Sequence, residues 1–235
     1  MRKVLSGRQG VQIGDNQFVT DLMFADDSAI FADTDAEAND ILREIAAIAL
    51  PYGLTINAEK TKALTTDGSP CTLYLDNSQI EQVAEFKYLG SIVQQNKVSC
   101  TAEIHSRIGK AVTIFGSLTW CLWRRHIVSL ATKMRVFRSI VMPILLHGAE
   151  TWVLLKTDLQ KLEVFHMRCL RRILNVSIRD RIKNDNIRKS CCNEPTVESE
   201  IRKRTLRWFG HVSRMAAQRI PNKLLRRIRP SEWKV

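Results

Sequence analysis

Two adjacent aspartates, Asp26 and Asp27, stand inside the otherwise apolar stretch FADDSAIF, residues 24–31. Carboxylates are rarely buried, and burying them costs free energy unless a positive partner compensates. Neighbouring residues of a strand point to opposite faces, but at the tip of a hairpin both side chains can reach one ion. Two hard oxygen ligands suit Mg²⁺, which takes one or two carboxylates and fills its other positions with water or phosphate oxygens. The pair therefore indicates a metal site for phosphoryl transfer.

The same aspartates also have a purely local interpretation. In tight turns, aspartate side chains commonly accept hydrogen bonds from backbone N–H groups, and that role needs no ligand. The dipeptide alone favours the local role, whereas strand-like runs on both sides of it favour the metal site. A two-metal centre would also need ions about 3.5–4 Å apart, and hence a further carboxylate from elsewhere in the fold. Both interpretations remain open at this point.

The flanking residues predict that the aspartates lie at the tip of a β-hairpin. Residues 17–24 and 28–32 are rich in β-branched and aromatic side chains and flank a turn at Ala25–Asp27. A second hairpin is predicted around Asp76–Asn77, and FKYLGSIV, residues 86–93, is typical of a further strand.

Helical patterns account for the rest of the chain. Thr34 and Glu37 fit a capping box, and the apolar stripe that follows them stops at Pro51–Gly53. From about Thr101 the apolar spacing becomes helical throughout. It predicts helices near residues 101–118, 129–142, 158–174, 182–190 and 197–216. The predicted fold class is therefore α+β, with hairpins and one helix first and an all-α region after them.

The charge of the chain is strongly asymmetric. The net charge is +12, but residues 1–98 hold 8 Lys+Arg against 14 Asp+Glu, a net of −6, and residues 99–235 carry +18. Such a distribution indicates that the second half meets a polyanion, and nucleic acid is the leading candidate. The alternative is a well-solvated helical surface, because Lys and Arg are also ordinary helix formers.

Several function classes have no support in the sequence. The chain has no apolar stretch of 18 residues and no secretory h-region after its basic start, so we expect neither a membrane span nor secretion. We therefore expect an intracellular protein, in the nucleus or cytoplasm, whose six scattered cysteines are reduced thiols. The histidines and cysteines lack the spacing of zinc ligands.

Six segments, in order, resemble the reverse transcriptases of LINE-type (non-LTR) retrotransposons. They are FADD, YGLTINAEKTKAL (52–64), EFKYLGSIV (85–93), VMPILLHGAETW (141–152), FHMRCLRRIL (165–174) and LRWFGHVSRM (206–215). The resemblance implies a partial palm over residues 1–98, a helical thumb over 99–178 and a basic post-thumb region over 179–235. The implied reaction is RNA-directed DNA synthesis with Mg²⁺ on an RNA template and a DNA primer, using dNTPs.

The resemblance also implies roles for individual residues. Asp26 would be the catalytic metal-binding aspartate, with Asp27 in support, while Phe24 would lie near the primer end and the nucleotide. Lys60 would lie near the phosphates of the incoming nucleotide. The residues that match the primer grip are Phe86, Tyr88, Leu89 and Gly90.

Two basic helix faces are candidates for contact with the phosphates of a template–primer duplex. At helical spacing, one face carries Lys161, Arg168 and Arg172 opposite an apolar stripe. A later helix repeats the arrangement, with Lys203, Arg207 and Arg214 opposite a stripe of Ile201, Thr205, Trp208, Val212 and Met215. Contacts of this kind give affinity that depends on salt and not on sequence.

The catalytic set is expected to be incomplete in this chain. The family palm needs an earlier strand with another metal-binding aspartate, and only Asp15 and Asp21 precede Phe24. Asp21 precedes Asp26 by five residues, about 16 Å along a strand, so it cannot join the same site. We therefore expect a fragment that is inactive alone and needs a complementing upstream polymerase segment. The alternative is a non-catalytic nucleic-acid-binding protein derived from a retroelement.

Overall fold

Short strand pairs and one α-helix are found in the described residues up to 95, and helices dominate those from 100 onward, which confirms the predicted α+β class. The computed structural model describes residues 4, 8, 10–14, 17–95 and 100–228. The described residues up to 95, together with those from 212 onward, form one compact unit, called here the mixed unit. Residues 100–211 form another, called the helical unit. The assignment of palm, thumb and post-thumb segments stays a prediction.

The strands of the mixed unit are two to four residues long and occur in pairs. In chain order they are β1 (Val11–Gly14), β2 (Gln17–Val19), β3 (Asp21–Phe24), β4 (Asp27–Ile30), β5 (Lys62–Ala63), β6 (Tyr74–Leu75), β7 (Ser78–Gln79), β8 (Glu81–Gln82), β9 (Glu85–Tyr88) and β10 (Ser91–Gln94). The antiparallel pairs are β1–β2, β3–β4, β6–β7 and β9–β10, while β5 and β8 run parallel.

Three two-residue turns set the register of the hairpins. The predicted hairpin at the aspartates is confirmed, but its first arm is shorter than predicted, because β2 pairs with β1 and only β3 pairs with β4. The hairpin at Asp76–Asn77 is also confirmed, and both of its turn residues have positive φ, as in a type I′ turn. FKYLGSIV is a hairpin and not the single strand that its apolar character suggested, because Leu89 and Gly90 adopt φ of 48° and 89° and reverse the chain.

Helix α1 (Asp35–Ala49) packs against the strands that carry Ile30 and Leu75. Its predicted cap is present, since the Thr34 hydroxyl accepts a hydrogen bond from the backbone N–H of Glu37 at 3.2 Å. Ile41 and Ile45 are buried in an apolar cluster with Ile30 and its neighbours, so the stripe on α1 is the face that the strands cover.

The helical part follows the predicted order with two differences. The helices are α2 (Thr101–Ser117), α3 (Leu130–Val136), α4 (Met142–Leu145), α5 (Lys156–Leu174), α6 (Asn184–Ser190), α7 (Val197–Arg214) and α8 (Ile220–Ile228), with π-helical turns at Thr119–Trp123 and Phe137–Val141. The predicted continuous helix over 129–142 contains a π turn ahead of Pro143, whose ring clashes with the carbonyl one turn earlier. Helix α8 was not predicted, although Pro221 in its first turn is a start signal.

A single apolar cluster forms the core of the helical unit. The face predicted to be apolar on α5 is buried, and it comprises Leu162, His166, Cys169, Leu170 and Ile173. Trp123 is 1% exposed, stacks on Phe115 with ring centroids 4.8 Å apart, and donates its indole N–H to the Phe115 carbonyl at 2.7 Å. Burial of aromatic side chains of this size, together with such ring contacts, contributes strongly to stability.

A buried carboxylate lies next to this core. Glu194 accepts a hydrogen bond from Arg138 Nε at 2.7 Å, and its other oxygen lies 3.7 Å from Nε2 of the fully buried His166. Burial alone would raise the pKa of Glu194, but His166 and Arg138 together outweigh burial and hold that pKa below its usual value. Glu194 is therefore a charged residue inside the helical unit.

The six cysteines are free thiols, as predicted, and two of them belong to the core. Burial raises the pKa of Cys169 to about 12 and that of Cys191 to about 11. Thiols with such pKa values carry almost no thiolate at neutral pH and are chemically inert. In the described part of the chain, no helix is both long enough and apolar enough to cross a bilayer.

Candidate active site and nucleic-acid contacts

The two aspartates lie at the exposed tip of the β3–β4 hairpin. Asp26 is the second residue of its two-residue turn, and Asp27 begins β4 opposite Phe24. Both carboxylates are exposed, and neither accepts a hydrogen bond or ion pair from any described residue. The hairpin thus presents four carboxylate oxygens at one end, and none of them has a partner in the described part of the chain.

Two other side chains of the mixed unit accept hydrogen bonds from backbone N–H groups in turns, the role that the local interpretation gave to Asp26 and Asp27. Asp67 accepts from both the backbone N–H and the hydroxyl of Ser69, at 3.0 and 2.8 Å, and these bonds lower the pKa of its carboxyl. Asn57 likewise accepts from the backbone N–H of Lys60 at 3.0 Å. The aspartates at the hairpin tip make no such bond with any described residue, so the hydrogen bonding that the local interpretation required is not seen there.

The backbone before the aspartates is strained. Ala25 has φ of 51°, in a region that residues with a Cβ seldom occupy and where glycine is the usual choice. Such conformations cost of order 1–3 kcal/mol and cluster at functional sites, where surrounding structure holds them. The strain at Ala25 makes the turn tight, so that Asp26 and Asp27 follow each other at the extreme tip of the hairpin.

The structure brings together two segments that the sequence singled out separately. The Tyr88 hydroxyl, at the end of β9, donates a hydrogen bond to the Leu22 carbonyl of β3 at 2.9 Å. Leu22 is four residues before Asp26 on the strand that leads to it, so the β9–β10 hairpin is tied to the aspartate hairpin. Phe86 and Leu89 on β9 and its turn are 37% and 44% exposed, and Phe24 is 63% exposed.

Removing the hydrogen bond between Tyr88 and Leu22 should lower the stability of the mixed unit measurably. We expect Tyr88→Phe to lower the free energy of unfolding by about 1 kcal/mol, the usual net value of one hydrogen bond between neutral groups. Tyr74→Phe is the control, because Tyr74 is 52% exposed and its hydroxyl has no hydrogen-bond partner among the described residues. Urea unfolding of both variants measures the difference, and equal losses in the two would show that the Tyr88 bond contributes nothing.

Lys60 forms no hydrogen bond with either of these two hairpins among the described residues. It lies in a turn that Asn57 closes, its side chain is exposed, and its ammonium has no partner among the described residues. No described bond connects it to the aspartates. Its predicted role beside nucleotide phosphates remains a prediction.

The carboxylates fit part of a divalent-metal site. Two exposed, unpartnered carboxylates supply the one or two acidic ligands that Mg²⁺ takes from a protein. Asp21, on the same strand, accepts instead from the Thr20 hydroxyl at 2.8 Å. Among the described residues, no group of three or more His, Cys, Asp or Glu side chains is arranged to hold a metal ion. A further ligand would have to come from another segment.

The three basic residues predicted on α5 do not share one environment. Lys161 contacts Nε2 of His105 at 2.9 Å and forms an ion pair with the buried Asp158 at 3.4 Å. Arg168 and Arg172 are exposed, and no described residue pairs with either. Lys161 therefore stabilises the fold, while the two arginines present free guanidinium groups to solvent.

The predicted basic face of α7 is exposed, but the opposite stripe is only partly buried. Lys203, Arg207 and Arg214 have no described partner. Ile201 and Val212 are buried as predicted. The prediction was wrong for the middle of the stripe, because the helix is exposed on all sides there: Thr205 is exposed and Trp208 is 40% exposed.

Two residues of α7 were missed from the sequence. Arg202 and Leu206 line a shallow groove together with Ser199, Lys203 and Arg207. Leu206 is 61% exposed, so it adds an apolar surface between basic side chains. The signal was available in the sequence, because positions 199, 202, 203, 206 and 207 share one face of a helix at i, i+3, i+4, i+7 and i+8.

Comparison with known proteins gives consistent results. Residues 11–93 match the family described as reverse transcriptase (RNA-dependent DNA polymerase). The matched range contains the aspartate hairpin, Lys60 and all but the last residue of the β9–β10 hairpin. No solved structure matches the chain significantly.

Three relatives extend the similarity beyond that range. A transposon-derived, uncharacterized protein of Caenorhabditis elegans is 29% identical over 225 residues, which cover 92% of this chain and 79% of that protein. A protein named "Probable RNA-directed DNA polymerase from transposon BS", of Drosophila melanogaster, is 25% identical over 80% of this chain. The RNA-directed DNA polymerase from mobile element jockey of Drosophila funebris is 27% identical over 64% of the chain. The chain spans only 21% and 17% of the lengths of these two polymerases.

Proposed function

We propose that this chain, which is related to the reverse transcriptases of non-LTR retrotransposons, supplies part of the catalytic palm and the nucleic-acid-binding helices of such a polymerase. RNA-directed DNA synthesis is the reaction, with an RNA template, a DNA primer and dNTPs. RNA and dNTPs are available in the nucleus and cytoplasm, where this function would be carried out.

One observation carries the proposal. Asp26 and Asp27 form the exposed tip of a strained hairpin, and their carboxylates have no partner among the described residues. Asp67 shows the contrasting case of a turn aspartate whose carboxylate is hydrogen bonded. Unpaired adjacent carboxylates suit an external cation, and Mg²⁺ is the ion whose ligand preference they match.

The proposed roles of the mixed unit follow from its geometry. Asp26 and Asp27 would hold Mg²⁺, and the bound ion supplies positive charge for the phosphoryl oxygens of the nucleotide. Tyr88 positions the aspartate strand through its bond to Leu22, and the β9–β10 turn at Leu89 and Gly90 would contact the primer. Lys60, which is exposed and whose ammonium pairs with no described residue, would contact nucleotide phosphates.

Catalysis needs a ligand that the described residues do not provide. Among the described residues, no third acidic side chain joins Asp26 and Asp27. We propose that the further carboxylate comes from another segment of the polymerase, so that the described residues alone do not extend a primer. This same observation favours the second candidate function, a nucleic-acid-binding protein in which the aspartates are not used.

The nucleic-acid contacts are shared by both candidates and can be tested on the chain itself. We expect Arg168→Gln with Arg172→Gln, and separately Lys203→Gln with Arg207→Gln and Arg214→Gln, to weaken binding of an RNA–DNA duplex. The slope of log K against log salt should fall by about 0.7–0.9 for each phosphate contact that is lost. Fluorescence anisotropy at several salt concentrations measures both quantities.

Two control variants test whether binding depends on the two proposed faces or only on the net charge of the chain. Lys189→Gln on α6 and Arg179→Gln in the 3-10 turn Ile178–Asp180 remove exposed cations that lie on other elements. They should leave the salt slope nearly unchanged. Lys161→Gln should also change the slope little, because its ammonium is held by His105 and Asp158. Equal slopes in all variants would refute phosphate contact at the two faces.

A further inference from the structure

A cavity of about 390 Å³ opens in the helical unit beside the π-helical turn Thr119–Trp123. Apolar side chains form one part of its wall, including Trp123, Leu130 and Ile173. Arg124, His126 and Lys133 form another part, and no Asp or Glu lines the cavity. Apart from the neutral Asn175, its polar wall is therefore built from side chains that can carry positive charge.

Lys133 is the unusual member of this wall. It is 9% exposed, and its ammonium donates to the Trp123 carbonyl at 2.9 Å. No described carboxylate pairs with it, and its two other N–H donors have no acceptor in the described part of the chain. A buried ammonium with one neutral acceptor is costly, and an anion in the cavity would satisfy the remaining donors.

Arg124, in the same wall, is restrained by contact with an aromatic ring. Its guanidinium lies 4.3 Å from the centroid of the Trp120 ring, which is 71% exposed. This cation–π contact restrains a side chain that would otherwise be free, while leaving its N–H donors available. His126 is exposed beside it. A restrained guanidinium loses less conformational entropy when it binds an anion.

We propose that this cavity binds the phosphate group of a nucleotide. A phosphate offers several acceptor oxygens, so it can accept from the ammonium, the guanidinium and the imidazole together. The apolar wall leaves room for the sugar or base attached to it. The phosphate comes either from a free nucleotide or from a nucleic-acid strand, which share this chemistry. The cavity is built from residues of the helical unit alone, and the proposal does not depend on the proposed polymerase reaction.

Isothermal titration of the full chain with AMP, inorganic phosphate and adenosine tests the proposal at constant ionic strength. We expect AMP and phosphate to bind and adenosine not to bind. Arg124→Gln with His126→Gln should weaken AMP binding about tenfold, the range for charge-assisted hydrogen bonds. Arg125→Gln is the matched control, because it removes the same charge from an exposed neighbour that does not line the cavity. It should change binding less than about twofold.

Lys133→Met adds a second, independent variant that keeps the apolar stem. It should weaken AMP binding at least as much as the double variant, provided that it unfolds as cooperatively as the wild type. Because the residues of the double variant are exposed, that variant tests the proposal even where Lys133→Met fails to fold. Displacement of AMP by a single-stranded oligonucleotide assigns the site to a strand, and no displacement assigns it to a free nucleotide. Absence of AMP binding to the wild type, or equal binding by the double variant and Arg125→Gln, would overturn the proposal.

Discussion

Asp26→Asn should reduce primer extension about a thousandfold while leaving template–primer binding within about twofold. The substitution keeps the shape of the side chain and removes the negative charge that would hold the metal ion. A metal ligand contributes several kcal/mol of transition-state stabilisation, and each 1.36 kcal/mol changes the rate tenfold. Asparagine is well tolerated in turns, so the β3–β4 hairpin should keep its fold.

The assay must supply the carboxylate that the described residues lack. A suitable enzyme is a chimera of the jockey polymerase of Drosophila funebris in which this chain, including the β3–β4 hairpin, replaces the segment to which it corresponds. Extension of a DNA primer on an RNA template with Mg²⁺ and dNTPs is then measured for the chimera and its variants. The chain by itself is run in parallel, and we expect no extension from it.

Asp76→Asn is the matched control for this prediction. Asp76 is also an exposed aspartate at the turn of a two-residue hairpin in the mixed unit, with φ of 46°. The Asp76→Asn substitution removes the same charge without changing the proposed metal site, so primer extension should persist. If Asp26→Asn were as active as Asp76→Asn, the aspartates would have no catalytic role, and the binding-protein alternative would be favoured.

Glu194→Gln should lower the free energy of unfolding of the helical unit by about 3 kcal/mol. The carboxylate is buried, and it accepts from Arg138 and faces the fully buried His166. Breaking a buried pair typically costs 3–5 kcal/mol, and the lower end applies because the Arg138 side chain is 45% exposed to screening solvent. Urea unfolding followed by tryptophan fluorescence reports this unit, since Trp120, Trp123, Trp152 and Trp208 lie within it.

The effect should also depend on pH in a defined direction. The pKa of Glu194 is lower in the folded chain than its usual value of 4.5. Its charge therefore contributes stability that is complete above pH 4.5 and is lost as pH falls through the folded pKa. The difference between wild type and Glu194→Gln should shrink over that acidic range.

Glu200→Gln provides the comparison for the buried carboxylate. Glu200 pairs with Arg204 at 3.5 Å, and both side chains are about a quarter exposed. Such a pair contributes little, so the loss should stay below about 1 kcal/mol. Equal losses in the two variants would show that burial of Glu194 adds nothing to its contribution.

Local interactions in the sequence were enough to predict much of this protein. The aspartate hairpin follows from a short polar turn between two β-rich runs, and the start of α1 follows from Thr34 and Glu37 three residues apart. The buried face of α5 follows from 3.6-residue periodicity. In each case the residues that determine the structure lie within a few positions of one another, so their spacing carries the information.

Only the tertiary structure decided how these pieces are used. Tyr88 and Leu22 are 66 residues apart, and Lys161 and His105 are 56 apart, so no local pattern could show that either pair meets. Burial of Lys133 at a cavity without carboxylates likewise depends on α3 packing near the end of α5. Sequence patterns indicate which side chains could bind phosphate or metal. Whether a charged group has an internal partner, and is therefore free to bind an external one, is determined by contacts between distant segments.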